Sequence, residues 1–242
     1  MKKFSKIFSL IAFLAAAAFT HAQSLDDILN KYYESIGGVE AWKSKISMRI
    51  TGTTDGGGMT LPLTVMTMRP NMQRVEVDIQ GQKFVESFDG EVAWTINPFM
   101  GGTEATRKTD EEAKEAAKNN FEDELIDYKV KGHTVSLEGK EDIAGAPAYK
   151  VKMVKQSGDE VYYFFDTEAY VPVMMRSFIG SGPMKGKAVE TYVSDYQEVD
   201  GVMVPFAMEQ KMDGQTFMNM KATKVEFNYP MEKESFMMPS KK

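Results

Sequence analysis

The run Met66–Gly102, MTMRPNMQRVEVDIQGQKFVESFDGEVAWTINPFMGG, decides the fold. Inside it, RVEVDI sets Val75, Val77 and Ile79 on one side and Arg74, Glu76 and Asp78 on the other. A period of two is the spacing of a strand with one face turned to a core. Gly81 and Asp89-Gly90 fall between such runs and signal hairpins, because a tight reversal needs residues that accept a positive φ. One strand-like run stops at Arg69-Pro70-Asn71, and the stretch closes on Asn97-Pro98-Phe99. It contains no histidine and no cysteine.

The same pattern extends outward. From Lys45 to Ile96 the period is mostly two, and from Thr134 to Tyr229 strands return, with turn signals at Ala144-Gly145, Ser157-Gly158, Gly180 to Gly186, Asp200-Gly201 and Asp213-Gly214. The expectation is about eleven strands, consecutive and antiparallel, because no βαβ rhythm appears. A sheet of that size curls and gains a concave side. Two helices interrupt it. Leu25–Ile36 carries Leu25, Ile28, Leu29, Tyr32 and Ile36 at helical spacing, with Ser24 as cap, acidic Asp26 and Asp27 in the first turn, and Gly37-Gly38 as stop. Thr109–Glu112 is a capping box, and the stripe Ala113, Ala116, Ala117, Phe121, Leu125 extends that helix to Tyr128.

Residues 1–22 read as a cleavable secretory signal. Lys2, Lys3 and Lys6 precede an apolar run from Ile7 to Phe19, too short to span a bilayer, and Ala22 marks the cleavage point. Loss of three lysines takes the net charge from -6 to about -9, which argues against nucleic acid and against adhesion to anionic membrane. Without cysteine the chain has no disulfide and no site for an N-terminal lipid thioether, so a single domain over 23–242 must hold by its core. A chain of that length buries roughly 70% of its unfolded surface, which suffices.

Several strands are apolar on both faces. EVYYFFD places Val161, Tyr163 and Phe165 opposite Tyr162 and Phe164, and there are 19 methionines, among them Met48, Met66, Met68, Met153, Met208, Met218 and Met220 in strand runs. Two readings stand: ordinary packing with a methionine-rich composition, or a cavity lined by adaptable Met, Phe and Tyr that suits acyl chains. Catalytic patterns are missing. There is no G-x-S-x-G, H-E-x-x-H, P-loop or Rossmann fingerprint, and no cofactor is expected. A copper site on Met66 with Met68, or Met218 with Met220, lacks the Cys or His that soft-metal sites recruit. The expected role is binding, not catalysis.

Arg69-Pro70-Asn71, then Asp89-Gly90-Glu91-Val92-Ala93-Trp94, then Asn97-Pro98-Phe99, then a helix from about Asp110, resembles in order and spacing the LolA-type carriers of outer-membrane lipoproteins. The likeness covers roughly residues 48 to 128, and YYFFDTEAYVPVMMR and YQEVDGVMVPFAM look like the wider lipoprotein-sorting group. The resemblance implies a mainly β, half-open antiparallel barrel under a helical lid at Asp110–Tyr128. It implies a periplasmic location, cargo of lipoprotein acyl chains or other lipid, an inner-membrane loading complex and an outer-membrane acceptor as partners, and no stable membrane insertion. Arg69 matches the family's arginine that locks the lid through backbone carbonyls. The cavity is then expected to be lined by Met48, Met66, Met68, Val75, Val77, Trp94, Phe99, Phe121, Leu125, Tyr163, Phe165, Met218 and Met220. The same fold also serves as a lipid-binding or envelope-stress sensor docked on a membrane-anchored partner. The chain departs from the carriers in its greater length, its long C-terminal strands and its more charged lid.

Overall fold

The computed structural model describes residues 23–56, 58–100, 102–180 and 182–240; the leader expected over residues 1–22 lies outside them. Ser24 caps α1 (Leu25–Ser35) as its position implies. Its hydroxyl accepts from the Asp27 amide at 3.1 Å while the Asp27 carboxylate reaches back to the Ser24 amide. Gly37-Gly38 ends the helix with φ of 92° and 94°, and α2 (Val39–Lys43) follows. Gly37 is required twice over, since a Cβ there would lie 2.2 Å from the Gly201 carbonyl oxygen.

Strands β1 (Ser47–Gly56), β2 (Met59–Met68), β3 (Met72–Ile79), β4 (Gln82–Phe88), β5 (Ala93–Ile96) and β6 (Thr106–Arg107) form one meander. After α3 (Asp110–Ala116) a second runs through β7 (Thr134–Ile143), β8 (Ala146–Val154), β9 (Glu160–Asp166), β10 (Pro172–Phe178), β11 (Ala188–Val199), β12 (Val202–Met212) and β13 (Gln215–Phe227). Together they make a thirteen-stranded antiparallel sheet in the order β6-β5-β4-β3-β2-β1-β13-β12-β11-β10-β9-β8-β7. The count exceeds the expected eleven, and β5 and β6, of four and two residues, are too short to show a period. The chain therefore starts mid-sheet, walks to one edge, crosses to the other through residues 108–133, and returns to lay β13 against β1. The two edges do not pair with each other, so the sheet stays open. Tight turns sit where Asp-Gly and its relatives predict, with φ of 51° and 77° at Asp213-Gly214 and 48° and 79° at Asp200-Gly201.

Directly paired residues share a face. One inner row runs across seven strands through Leu137, Val151, Tyr163, Met175, Thr191, Gln210 and Met218. Ile28, Leu29 and Tyr32 of α1 pack on this face against Tyr149, Val151, Met153, Tyr163 and Phe165. Trp42 of α2 and Phe121 pack beside it on Met48, Ile50, Val204, Phe206, Val225 and Phe227. Farther along, Val65, Val75 and Val77 are only half-buried, so this face is less closely packed over β2 and β3.

The second apolar face has covers of its own. Phe164, Ala148 and Met174 form an outer cluster, with the Lys150 and Arg176 cations 6.0 and 5.2 Å from the Phe164 ring. Farther round, the C-terminal segment lays the fully buried Phe236 on the sheet, and its carbonyl accepts from Trp94 Nε1 at 2.7 Å and Ser87 Oγ at 2.8 Å. Trp94 pairs through Ser87, Arg74 and Met66 to Arg49, all on this outer face. Among the described residues no helix is long and apolar enough to cross a membrane.

Candidate functional site

The crossing from β6 to β7 connects the two sheet edges, and it divides into two parts. α3 opens with the expected capping box, Thr109 Oγ1 accepting from the Glu112 amide at 3.2 Å. It ends at Ala116 rather than Tyr128. Asn119-Asn120, both weaker helix formers than the residues before them, follow its end, and their side-chain amides donate to Gln73 Oε1 at 3.4 Å and Glu124 Oε1 at 2.9 Å. Asp123 then accepts from the Leu125 amide at 2.7 Å and starts a separate turn. No residue of α3 is buried. Polar contacts hold it on both sides: Lys108 to Glu86 at 2.6 Å, Lys118 to Asp159 at 3.0 Å, and Asn71 to the Ala117 carbonyl at 3.3 Å. Such surface pairs contribute roughly 0–1 kcal/mol each. The following part is anchored, with Phe121, Leu125 and Ile126 buried and Tyr33 donating to the Leu125 carbonyl at 2.7 Å.

Arg69 stands at the boundary between these parts. Its Nε donates to the Lys45 carbonyl at 2.7 Å, and Nη2 donates to the Trp42 carbonyl at 3.2 Å and to Glu122 Oε2 at 2.6 Å. The guanidinium also lies 4.8 Å from the centre of the Phe121 ring. The carbonyls thus belong to α2 and its exit, not to the lid. The lid is reached through a carboxylate and a ring. One planar fork joins the end of β2, α2 and the cover.

Two cavities lie beneath α3 and share Lys108, Glu112, Ala116 and Asn119 in their walls. One, of about 170 Å³, is bounded by Val75, Phe88 and Ala93; the other, of about 420 Å³, meets Val161 and Phe178 but is rimmed mostly by charged groups, among them Glu115, Lys118, Lys155, Asp159 and Glu160. A third, of about 130 Å³ and almost wholly apolar, lies between the helices and β10–β12, with Asp123 in its wall. On the inner face Thr67 Oγ1 is buried and has no hydrogen-bond partner among the described residues.

The residues expected to line a single cavity are dispersed. Val75 borders the space under α3, and Val77, Met218 and Met220 lie on the inner face, with Met218 exposed and Met220 buried. Met48, Phe121, Leu125, Tyr163 and Phe165 are packed core against α1 and α2. Met66, Met68 and Trp94 are corrected to the outer face: alternation says which residues share a side, and only the register says which side faces inward. Phe99, 72% exposed on a 3-10 turn at Pro98–Met100, borders none of these three cavities. The sequence reading missed Trp42, Met175, Val193, Tyr196 and Met203, which border the apolar cavity. Met203 and Pro205 face it because the first half of β12 leaves β13, which pairs only from Ala207 on, and so is covered on both sides.

Burial raises the Asp123 carboxyl above its ordinary range, against the pull of the Leu125 amide, Tyr32 and Lys131. Burial also raises the Tyr32 and Tyr163 phenols, and Asp123 adds to both shifts. Glu124 goes the other way: burial would raise it, but Lys155 and His133 donate to it and the net shift is down.

No family model matches the chain, and no curated protein matches it. Solved structures do. A DUF1329 family protein from Desulfovibrio piger aligns with a TM-score of 0.57 at 9% identity, over 89% of this chain and 98% of that one. A LolA superfamily protein from Nitrosomonas europaea aligns with 0.55 at 12%, over 89% and 98%. A putative outer membrane lipoprotein-sorting protein domain from Vibrio parahaemolyticus aligns with 0.53 at 11%, over 87% and 94%. At such identities the likeness is one of fold, and that fold is LolA-like.

Proposed function

We propose that this chain is a periplasmic carrier that takes lipoprotein acyl chains, or a similar lipid, onto the inner face of its sheet beneath α3 and passes them toward the outer membrane. The observation that carries this reading is the cover itself: α3 buries no residue, begins the crossing between two unpaired sheet edges, and lies over spaces that reach Val75, Phe88 and Val161 of the inner face, the larger of them rimmed by charged side chains. The larger space falls within the range of about 300–1,000 Å³ typical of small-molecule sites. Each methylene moved from water onto that face gains about 0.8 kcal/mol, so six gain about 5 kcal/mol. Raising α3 costs a few surface pairs, each roughly 0–1 kcal/mol, so loading is favourable and still reversible. The role is binding and release; no catalytic group is assigned.

The test is expression with the native leader in a bacterial envelope, native mass spectrometry of the purified protein, and transfer of a labelled lipoprotein from donor to acceptor vesicles. Co-purified acyl species and protein-dependent transfer are expected. Empty protein that neither takes up nor transfers lipid would sink the proposal.

A further inference from the structure

The apolar cavity between the helices and β10–β12 holds one feature that an acyl chain does not use. Its wall is formed by Tyr32, Trp42, Met175, Val193 and Tyr196, and Asp123 borders it. Asp123 is half-buried by surface area, and its carboxylate accepts from the Leu125 amide at 2.7 Å. The groups that face it are Tyr32 and Tyr33 of α1, Tyr163 of β9, Tyr196 of β11, and Glu124 and Lys131 of its own segment. None of these supplies a cation inside the void: the Lys131 ammonium donates to the Asp123 backbone carbonyl at 3.2 Å and pairs with Glu122 at 3.4 Å. Tyr196 donates its hydroxyl to the Pro172 carbonyl at 2.8 Å, and Trp42 donates its indole N–H to the Ile36 carbonyl at 3.0 Å. Their polar ends are thus engaged elsewhere, and their rings remain as wall.

We infer that this cavity is a site for a small organic ammonium group, held by the Asp123 carboxylate and by the faces of Tyr32, Trp42 and Tyr196. Aromatic rings attract a desolvated cation through their quadrupole, and a methylated ammonium also fills apolar space that a hydrated metal ion does not. Methionine thioethers at Met175 and Met203 complete a soft, adaptable wall. The volume of about 130 Å³ is close to that of an engineered cavity of about 150 Å³ that admits benzene, so a tetramethylammonium-sized group fits. The Asp123 carboxylate accepts from the Leu125 amide at 2.7 Å and from the Tyr32 hydroxyl, both neutral donors, and an ammonium in the cavity adds the opposite charge they lack. The inference does not require the carrier reading, because its probes are free of acyl chains.

Calorimetric titration and thermal unfolding with tetramethylammonium and choline test it, with sodium at equal ionic strength and dimethylbutanol, the uncharged carbon analogue of choline, as controls. Saturable binding of both ammonium ions is expected, with dimethylbutanol weaker by about tenfold or more. Asp123→Asn should weaken choline by about tenfold or more while circular dichroism stays native. A further arm separates sources: short-chain phosphatidylcholine against the matched phosphatidylglycerol. A preference for the former assigns the ammonium to a lipid headgroup, and equal response assigns it to a free amine. Absence of saturable binding, equal binding of dimethylbutanol, or full affinity in a folded Asp123→Asn protein overturns the inference.

Discussion

Replacing Arg69 by leucine removes two hydrogen bonds to carbonyls, one ion pair and one ring contact at once. Glu122, with its side chain 10% exposed, is left with Lys131 at 3.4 Å and so is not stranded. Hydrogen bonds from a charged donor contribute about 1.5–3 kcal/mol each when shielded. The Arg69 side chain is 30% exposed, and screening discounts the group to about 2–3 kcal/mol in total. At about 1.36 kcal/mol per factor of ten, the anchored segment 121–128 should open roughly 30- to 150-fold more often. Amide hydrogen exchange reads this directly. The amides of Ile126 and Tyr128, which bond to the Asp123 and Leu125 carbonyls, should exchange faster by that factor. Those of β8 and β9 should not change. Arg69→Lys should recover only part of the protection, because it keeps charge and loses the fork. Exchange within about twofold of the parent at 121–128, or a uniform acceleration over the whole sheet, would refute the idea that Arg69 pins this segment behind α3.

Four further outcomes follow from particular contacts. Thr109→Ala should cost α3 about 1 kcal/mol, seen as faster exchange at Ala113 and Ala117, while the melting temperature holds because the helix buries no residue. Phe236→Ala should lower stability by about 3–5 kcal/mol in a urea titration, since that ring is fully buried on the outer face. Gly52→Ala should be worse tolerated than any surface change, because its Cβ would meet the Lys221 carbonyl oxygen at 2.1 Å; purification yield and circular dichroism report it. Asp123→Asn should stabilise the protein at neutral pH. The folded carboxyl is raised, so its contribution is full below the unfolded pKa and is lost as pH rises through the folded value; asparagine escapes that loss. The gap between the two proteins should therefore widen from acid to neutral pH in urea midpoints.

Alternation in RVEVDI and the Asp-Gly turns made the sheet legible, because both are local consequences of strand geometry. The Ser24 cap and the Thr109–Glu112 capping box were readable for the same reason. The site was less so. Which face of Met66 and Met68 turns inward depends on pairing with Arg49 and Arg74, and those partners are set by the whole sheet. Trp94 is sealed by Phe236, 142 residues away, and no periodicity links them. The lid broke at Asn119-Asn120 although the apolar stripe continued to Leu125, since Phe121 and Leu125 are buried by turns rather than by one helix. The abundant methionine divides likewise: Met153 and Met174 are plain core, and Met175 and Met203 border a cavity.

The seam between β1 and β13 joins the first strand to the last, and each meander on either side of it is contiguous in the chain. α1, encoded ahead of the first meander, buries its apolar side against β8 and β9 of the second. Each half therefore lacks what the other carries, and neither completes a core alone. A backbone nick within α3 would leave two fragments stitched by a strand seam and a donated helix, and they should recombine from separate solutions into one cooperative unit.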